Sequence, residues 1–239
     1  MSRATKGVLA FGDSITNGGG ELQWGVALQS WAQWVARATG LDFTNYAVDG
    51  ADIDNLLALQ LRGFTYFNAT PEARYELGCL YIGTNDVRAL GWDAHDFASK
   101  LDRAMRFLAE RCERTLTVTI PLDLGRPRAG EKVAEANAVI EQVAAAHGTL
   151  IVDLSGFGAR NLVMPDHVHP TAFGQIVIAE RALKVLAASE DPLPTRVPPR
   201  HLIYFETTRW GKLRGDLTYA YRHAKVSARA IGLLPQWRL

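Results

Sequence analysis

The chain of 239 residues is 48% hydrophobic and carries a formal net charge of +1, which allows one large domain with a substantial core, or one domain with an extension. No run of about 18 apolar residues occurs, which excludes a membrane-spanning helix, and Met1 to Gly7 enters an apolar strand at once, leaving no room for the apolar region of a signal peptide. Cys79, in an apolar run, and Cys112, late in a helical segment, read as buried thiols rather than a disulfide, so a cytoplasmic location is expected.

Val8 to Phe11 predicts a buried first strand, after which Gly12 lets the chain turn into a polar, glycine-rich loop ending at Gly20. Leu28, Trp31, Val35 and Ala38 recur at helical spacing and Gly40 stands where a C-cap would, so a crossover helix follows. Asp42 to Ala47 reads as a second strand, Val48 to Asp52 as a loop, and Ile53, Leu56, Leu57 and Leu61 as one face of a helix. Phe64, Tyr66 and Phe67 form an aromatic group whose ordinary use is core packing and whose alternative is a pocket wall. Tyr75 to Ile82 predicts the third strand, which runs into Gly83-Thr84-Asn85-Asp86 and then an amphipathic helix through Phe97, Leu101, Met105 and Leu108. A fourth strand (Thr115 to Ile120), a helix (Glu131 to His147) and a short fifth strand (Leu150 to Asp153) follow. The loop from Ser155 ends in Asp166-His167-Val168-His169-Pro170, and Thr171 caps a last helix carrying Phe173, Ile176, Leu183 and Leu186. Five strands alternating with helices imply a parallel sheet with right-handed crossovers, a three-layer α/β/α sandwich.

Residues 1–190 read as this domain, and 191–239 as a Pro-rich segment followed by a basic amphipathic extension. From Arg196 onward nine Lys and Arg meet only Glu206 and Asp216, a balance of +7 that leaves −6 on the rest. His201 to Glu206 reads as a short strand, and Trp210, Leu213, Leu217, Tyr221, Ala224, Ala228 and Ile231 as one apolar stripe. That stripe fits docking on its own body, a homo-oligomer contact, or an outside partner such as an anionic membrane surface.

Ser14 stands where the first strand ends, the edge at which open parallel sheets bind ligands. The loop lacks the Lys-Ser/Thr pair of a phosphate cradle, since Glu21 and Leu22 follow Gly20, and it lacks the second glycine of a nucleophile elbow, since Thr16 stands there. A serine hydroxyl needs a base, a group that orients the base, and donors for a developing oxyanion. Gly50, Asn85 and the Asp166–His169 pair lie at later strand-terminal loops and are of the types required. Taken singly, Gly50 serves backbone angles, Asn85 satisfies a turn, and Asp166, His167 and His169 with Asp13 and Asp86 suit a metal site.

Together the four blocks, Gly12-Asp13-Ser14-Ile15, Gly50, Gly83-Thr84-Asn85-Asp86 and Asp166-His167-Val168-His169-Pro170, resemble those of the SGNH hydrolases, the GDSL-type lipases and esterases, over roughly Gly7 to Ala188, with Ile15 in place of the usual Leu. The resemblance implies a five-stranded, flavodoxin-like sheet and a serine hydrolase with Ser14 as nucleophile, Asp166 and His169 completing the triad, and an oxyanion hole from the Ser14 and Gly50 N–H groups and the Asn85 amide. Its expected partner is a small acyl ester, with no cofactor, no metal and no nucleic acid. Trp24, beside the glycine loop, is expected to contact substrate. An acyltransferase with a non-water acceptor and a non-catalytic scaffold are the other readings.

Overall fold

The computed structural model describes residues 7–20, 26, 28–67, 73–159 and 161–202, together with positions 210, 213, 217, 220, 221, 224, 225 and 228. β1 (Val8–Gly12) is buried along its whole length, because helices cover both faces of the sheet and a strand so placed reads as a continuous apolar run. It pairs in parallel with β2 (Phe43–Asn45) on one side and β3 (Tyr75–Tyr81) on the other, Ala10 lying between Asn45 and Cys79. β4 (Cys112–Val118) and β5 (Leu150–Val152) extend the sheet in the order β2-β1-β3-β4-β5, every pair parallel. This is the flavodoxin-like order, whose reversal point lies beside β1.

A four-residue helix, α1 (Ser14–Asn17), follows β1. α2 (Trp31–Thr39) starts where the Ser30 hydroxyl accepts from the Gln33 N–H and stops at Gly40, whose φ of 70° suits glycine. It buries Trp31, Trp34 and Val35 and packs against α7 (Ala172–Ala188) on one face of the sheet. α5 (Ala94–Ala109) and α6 (Lys132–Ala146) pack together on the other, where α3 (Ile53–Asn55) runs through a π-helical stretch (Leu56–Leu61) into α4 (Arg62–Phe67).

Three expectations change. Cys112 does not end a helix but opens β4, pairing with Tyr75; Glu113 and Arg114 mask the strand because they lie at its outer end, where Arg114 pairs with Asp191 at 2.6 Å. Both cysteines are free and buried. The aromatic group splits, Phe64 packing edge-on against Phe11, Tyr46 and Phe107 in the core while Tyr66 and Phe67 are exposed. His201 and Leu202 belong to a 3-10 turn (Pro199–Leu202) rather than a strand, and 203–206 lie outside the described residues.

The Pro-rich segment wraps the body: Leu193 is buried, Arg196 and Val197 donate their N–H groups to the Ala38 carbonyl, and Arg200 forks onto Glu180. Further on, Trp210, Leu213, Leu217 and Tyr221 are helical and exposed, so at those positions the apolar stripe does not dock on the body. Among the described residues no helix is long and apolar enough to cross a membrane.

Candidate active site

The site begins with the turn out of β1. Gly12 has φ 146° and a Cβ there would strike the Tyr81 carbonyl and the Thr16 side chain, so only glycine fits. The buried amide of Gln60, in the π-helical stretch, donates to the Gly12 carbonyl at 2.8 Å and accepts from the Gly12 N–H at 2.9 Å. Asp13 caps α1, its Oδ1 accepting from the Ile15 N–H at 2.9 Å, and Ser14 is the first residue of that helix. Behind the loop, the fully buried Gln175 of α7 donates to the carbonyls of Ile15 and Gly19 and accepts from the Trp31 N–H. The serine-bearing turn is thus fixed by side chains from both helical layers.

The loop after β5 is brought over this turn. Met164 N–H donates to the His169 carbonyl and Val163 bridges to Pro170, which closes the loop on itself. His169 Nε2 lies 2.9 Å from Ser14 Oγ, and His169 Nδ1 lies 2.7 Å from Asp166 Oδ2. The other oxygen of Asp166 accepts from the N–H groups of Val168 and His169 at 2.9 and 3.1 Å, so this carboxylate is held by its own loop.

Gly50 and Asn85 arrive from the loops after β2 and β3, the two neighbours of β1. Gly50 has φ 75° while a Cβ there would meet nothing, so its backbone angle is the reason for glycine. Asn85 Nδ2 donates to the Ala51 carbonyl at 2.8 Å, which ties the two loops together across the end of β1 and leaves the amide's second N–H with no acceptor among the described residues. No acceptor among the described residues takes the backbone N–H of Ser14 or Gly50. Asp86 fastens the same junction by accepting from the Ile53 N–H at 3.0 Å.

Burial and charge oppose each other here. Burial works against a charged His169, but its hydrogen bond to Asp166, with the charges of Asp166 and Asp13, outweighs that and raises its pKa above 6.5 despite the cation of Arg88. Asp166 is likewise opposed by burial and still held below the usual carboxylate range by His169 and the two backbone donors. Asp13 has the Ile15 N–H, the charge of His169 and the Thr84 hydroxyl to set against complete burial, and its pKa still rises to about 7; burial likewise lifts Asp86 to about 6.

Of the residues singled out by sequence, Ser14, Asp166 and His169 are joined by hydrogen bonds and Gly50 and Asn85 border them, while Trp24 lies outside the described residues. His167 does not join its neighbours: with φ 55° it turns its ring away, Nδ1 toward Asp123 at 3.0 Å and Nε2 toward Arg126 at 2.8 Å. Among the described residues no group of three His, Cys, Asp or Glu is placed to hold a metal ion. Gln60 and Gln175 went unforeseen, since an isolated interior glutamine leaves no periodic signal. A groove of about 870 Å³ along α4 and α5, bordered by Leu57, Tyr66, Arg103 and Phe107, lies away from this edge.

This α/β fold, with a serine, an asparagine and an Asp-His pair at the C-terminal edge of its sheet, defines a class of hydrolytic enzymes. The sequence matches the GDSL-like lipase/acylhydrolase family over residues 10–176, and the chain belongs to that family, which makes it a hydrolase of the esterase and acylhydrolase kind. Among solved structures it resembles a member of the lipolytic protein G-D-S-L family from Veillonella parvula, at 22% identity and a TM-score of 0.60, covering 77% of this chain and 99% of that one. It also resembles the acetylxylan esterase Axe2 from Geobacillus stearothermophilus, at 16% identity and a TM-score of 0.58 over 80% and 97% of the two chains. LAE5, an alpha/beta hydrolase enzyme from the metagenome of Lake Arreo, is similar at 19% identity and 0.57, over 77% and 96%. At these identities the likeness is one of fold. No curated protein sequence matches the chain.

Proposed function

We propose that the protein is a serine esterase that releases a short acyl group through an acyl-serine intermediate, with Ser14 as nucleophile. The observation that carries this reading is the continuous relay from Ser14 Oγ to His169 Nε2 at 2.9 Å and from His169 Nδ1 to Asp166 at 2.7 Å. In the first half-reaction the Ser14 oxygen bonds to the ester carbonyl carbon while His169 Nε2 takes its proton. Asp166 holds the imidazole with Nδ1 protonated, so that Nε2 is the free base, and steadies the imidazolium that forms. The negative charge that gathers on the carbonyl oxygen is received by the N–H groups of Ser14 and Gly50 and the second N–H of the Asn85 amide. As the tetrahedral adduct collapses, the bond to the alcohol breaks and the leaving oxygen takes the proton from His169. Water then attacks the acyl-serine with the same base, and the carboxylic acid leaves.

Two further observations support the reading. The N–H groups assigned to the oxyanion have no acceptor among the described residues, as donors held ready for a substrate require. Ser14, Asn85 and His169 are half-buried rather than sunk in the body, which suits a small acyl group, and one structural neighbour is an acetylxylan esterase. The test is hydrolysis of p-nitrophenyl acetate by purified variants. Ser14→Ala and His169→Ala are expected to lower kcat by about 10³-fold or more, and Asn85→Ala by about 10²–10³-fold, with unfolding midpoints unchanged within a few degrees. Turnover that survives Ser14→Ala would exclude this nucleophile.

A further inference from the structure

We infer that Arg88, beside Asn85 at the edge of the site, selects acyl esters that carry an anionic group, a carboxylate or a phosphate, near the scissile bond. The inference rests on the Ser14 reading and adds a substrate class to it. Val87 and Ala89 donate their N–H groups to the carbonyls of Gly83 and Asn85, so the chain after β3 makes a helical turn. Residues three apart on such a turn share a side, which sets Arg88 beside Asn85. Arg88 is exposed, and among the described residues no carboxylate pairs with it.

The loop after β4 meets this turn. A Cβ at Gly125 would stand 3.7 Å from Arg88 Nε, and the Gly125 N–H donates to the His167 carbonyl at 2.8 Å. One small cavity is bordered together by Ile15, Tyr81, Asp123 and His167, so the loop also abuts the residue after Ser14. Asp123 forms an ion pair with Arg128 at 2.7 Å and accepts from Arg126 at 3.3 Å, and its second oxygen accepts from His167 Nδ1 at 3.0 Å. With that tautomer His167 Nε2 accepts from Arg126 at 2.8 Å, so the ring is neutral and orients the guanidinium rather than adding charge. Arg126 and Arg128 are thus offset by Asp123, and Arg88 is left as the cation of this cluster with no carboxylate partner among the described residues. The charge of Arg88 also bears on the His169 imidazole, which places it within electrostatic reach of the reacting atoms. A planar guanidinium presents paired N–H donors that match a carboxylate or phosphate, which explains why an unpartnered arginine suits recognition of such a group.

The test compares 3-acetoxybenzoate and 3-acetoxyphenyl phosphate with the neutral methyl 3-acetoxybenzoate, using the full chain. An anionic ester is expected to exceed the neutral one in kcat/KM by about tenfold at low salt, with the ratio falling as NaCl is raised. Arg88→Gln is expected to bring that ratio to within about twofold of unity, and whichever anion is favoured identifies the group read. Equal kcat/KM for all three esters, or an Arg88→Gln effect that lowers all three alike, would overturn the inference. Calorimetric titration into Ser14→Ala protein reads the rim apart from turnover. Tighter binding of an anionic ester, lost on adding Arg88→Gln, upholds the inference even if Ser14 proves not to be the nucleophile; equal binding of charged and neutral esters overturns it.

Discussion

Two carboxylic acids only a few residues from reacting atoms behave oppositely because their surroundings differ. Asp166 has a histidine and two N–H donors and stays ionised, whereas Asp13 is fully buried, with Oδ1 on the Ile15 N–H and Oδ2 completing no hydrogen bond although Thr84 lies beside it. With a pKa of about 7 against 3.8 when exposed, Asp13 binds its proton more tightly in the folded state. Its contribution to stability is therefore full below about pH 4 and is lost as pH rises through about 7. Asp13→Asn keeps the acceptor for Ile15, removes the titration and supplies an N–H toward Thr84. Relative to the parent, the variant is expected to gain on the order of 1–4 kcal/mol between pH 5 and pH 8, read by urea unfolding at both. A difference that does not change with pH would mean that Asp13 is not protonated on folding.

The elements matter most where they abandon regularity. The helical run after β2 widens to a π-helical turn over Leu56–Leu61, and Gln60 from that stretch brackets Gly12 with both ends of its amide. π-helical turns often occur at functional sites because they redirect a side chain that an even α-helix would aim elsewhere. Gln60→Ala leaves the buried Gly12 N–H without its partner, while the Gly12 carbonyl keeps the Val48 N–H, and is expected to cost about 1–3 kcal/mol, with p-nitrophenyl acetate turnover falling as Ser14 loses its support. A loss below about 0.5 kcal/mol in urea unfolding would show that the turn holds without it. Regular elements were readable in the sequence because their periods are local: the unbroken apolar run of β1, the Gly40 end of α2, and the faces of α5 and α7. The start of β4 was not, since Cys112-Glu113-Arg114 has the polarity of a helix end and its pairing with Tyr75 is a long-range contact. Gln60 and His167 were opaque for the same reason, their partners lying 48 and 44 residues away.

At the scale of the molecule, the order β2-β1-β3 sets Gly50 and Asn85 on either side of Ser14, and the β5 loop carries His169 over it. The candidate site residues stood out in the sequence because four short blocks fall at the ends of β1, β2, β3 and β5, a pattern far more specific than any member of it. Their mutual distances were not, because spacing along a chain does not say how loops fold back. The Pro-rich segment shows the same limit: its sequence marks a break in the pattern, and only the packing on Ala38 and Glu180 shows that it wraps α2 and α7.

The measurement that bears most directly on this chemistry is intact-mass analysis after exposure to a fluorophosphonate ester, followed by peptide mapping, with His169→Ala treated in parallel. A single adduct on Ser14, absent or slowed by about 10³-fold in that variant, is the expected result. Folded protein that takes up no adduct, or takes it up at another residue, would contradict the assignment of Ser14 as an activated nucleophile.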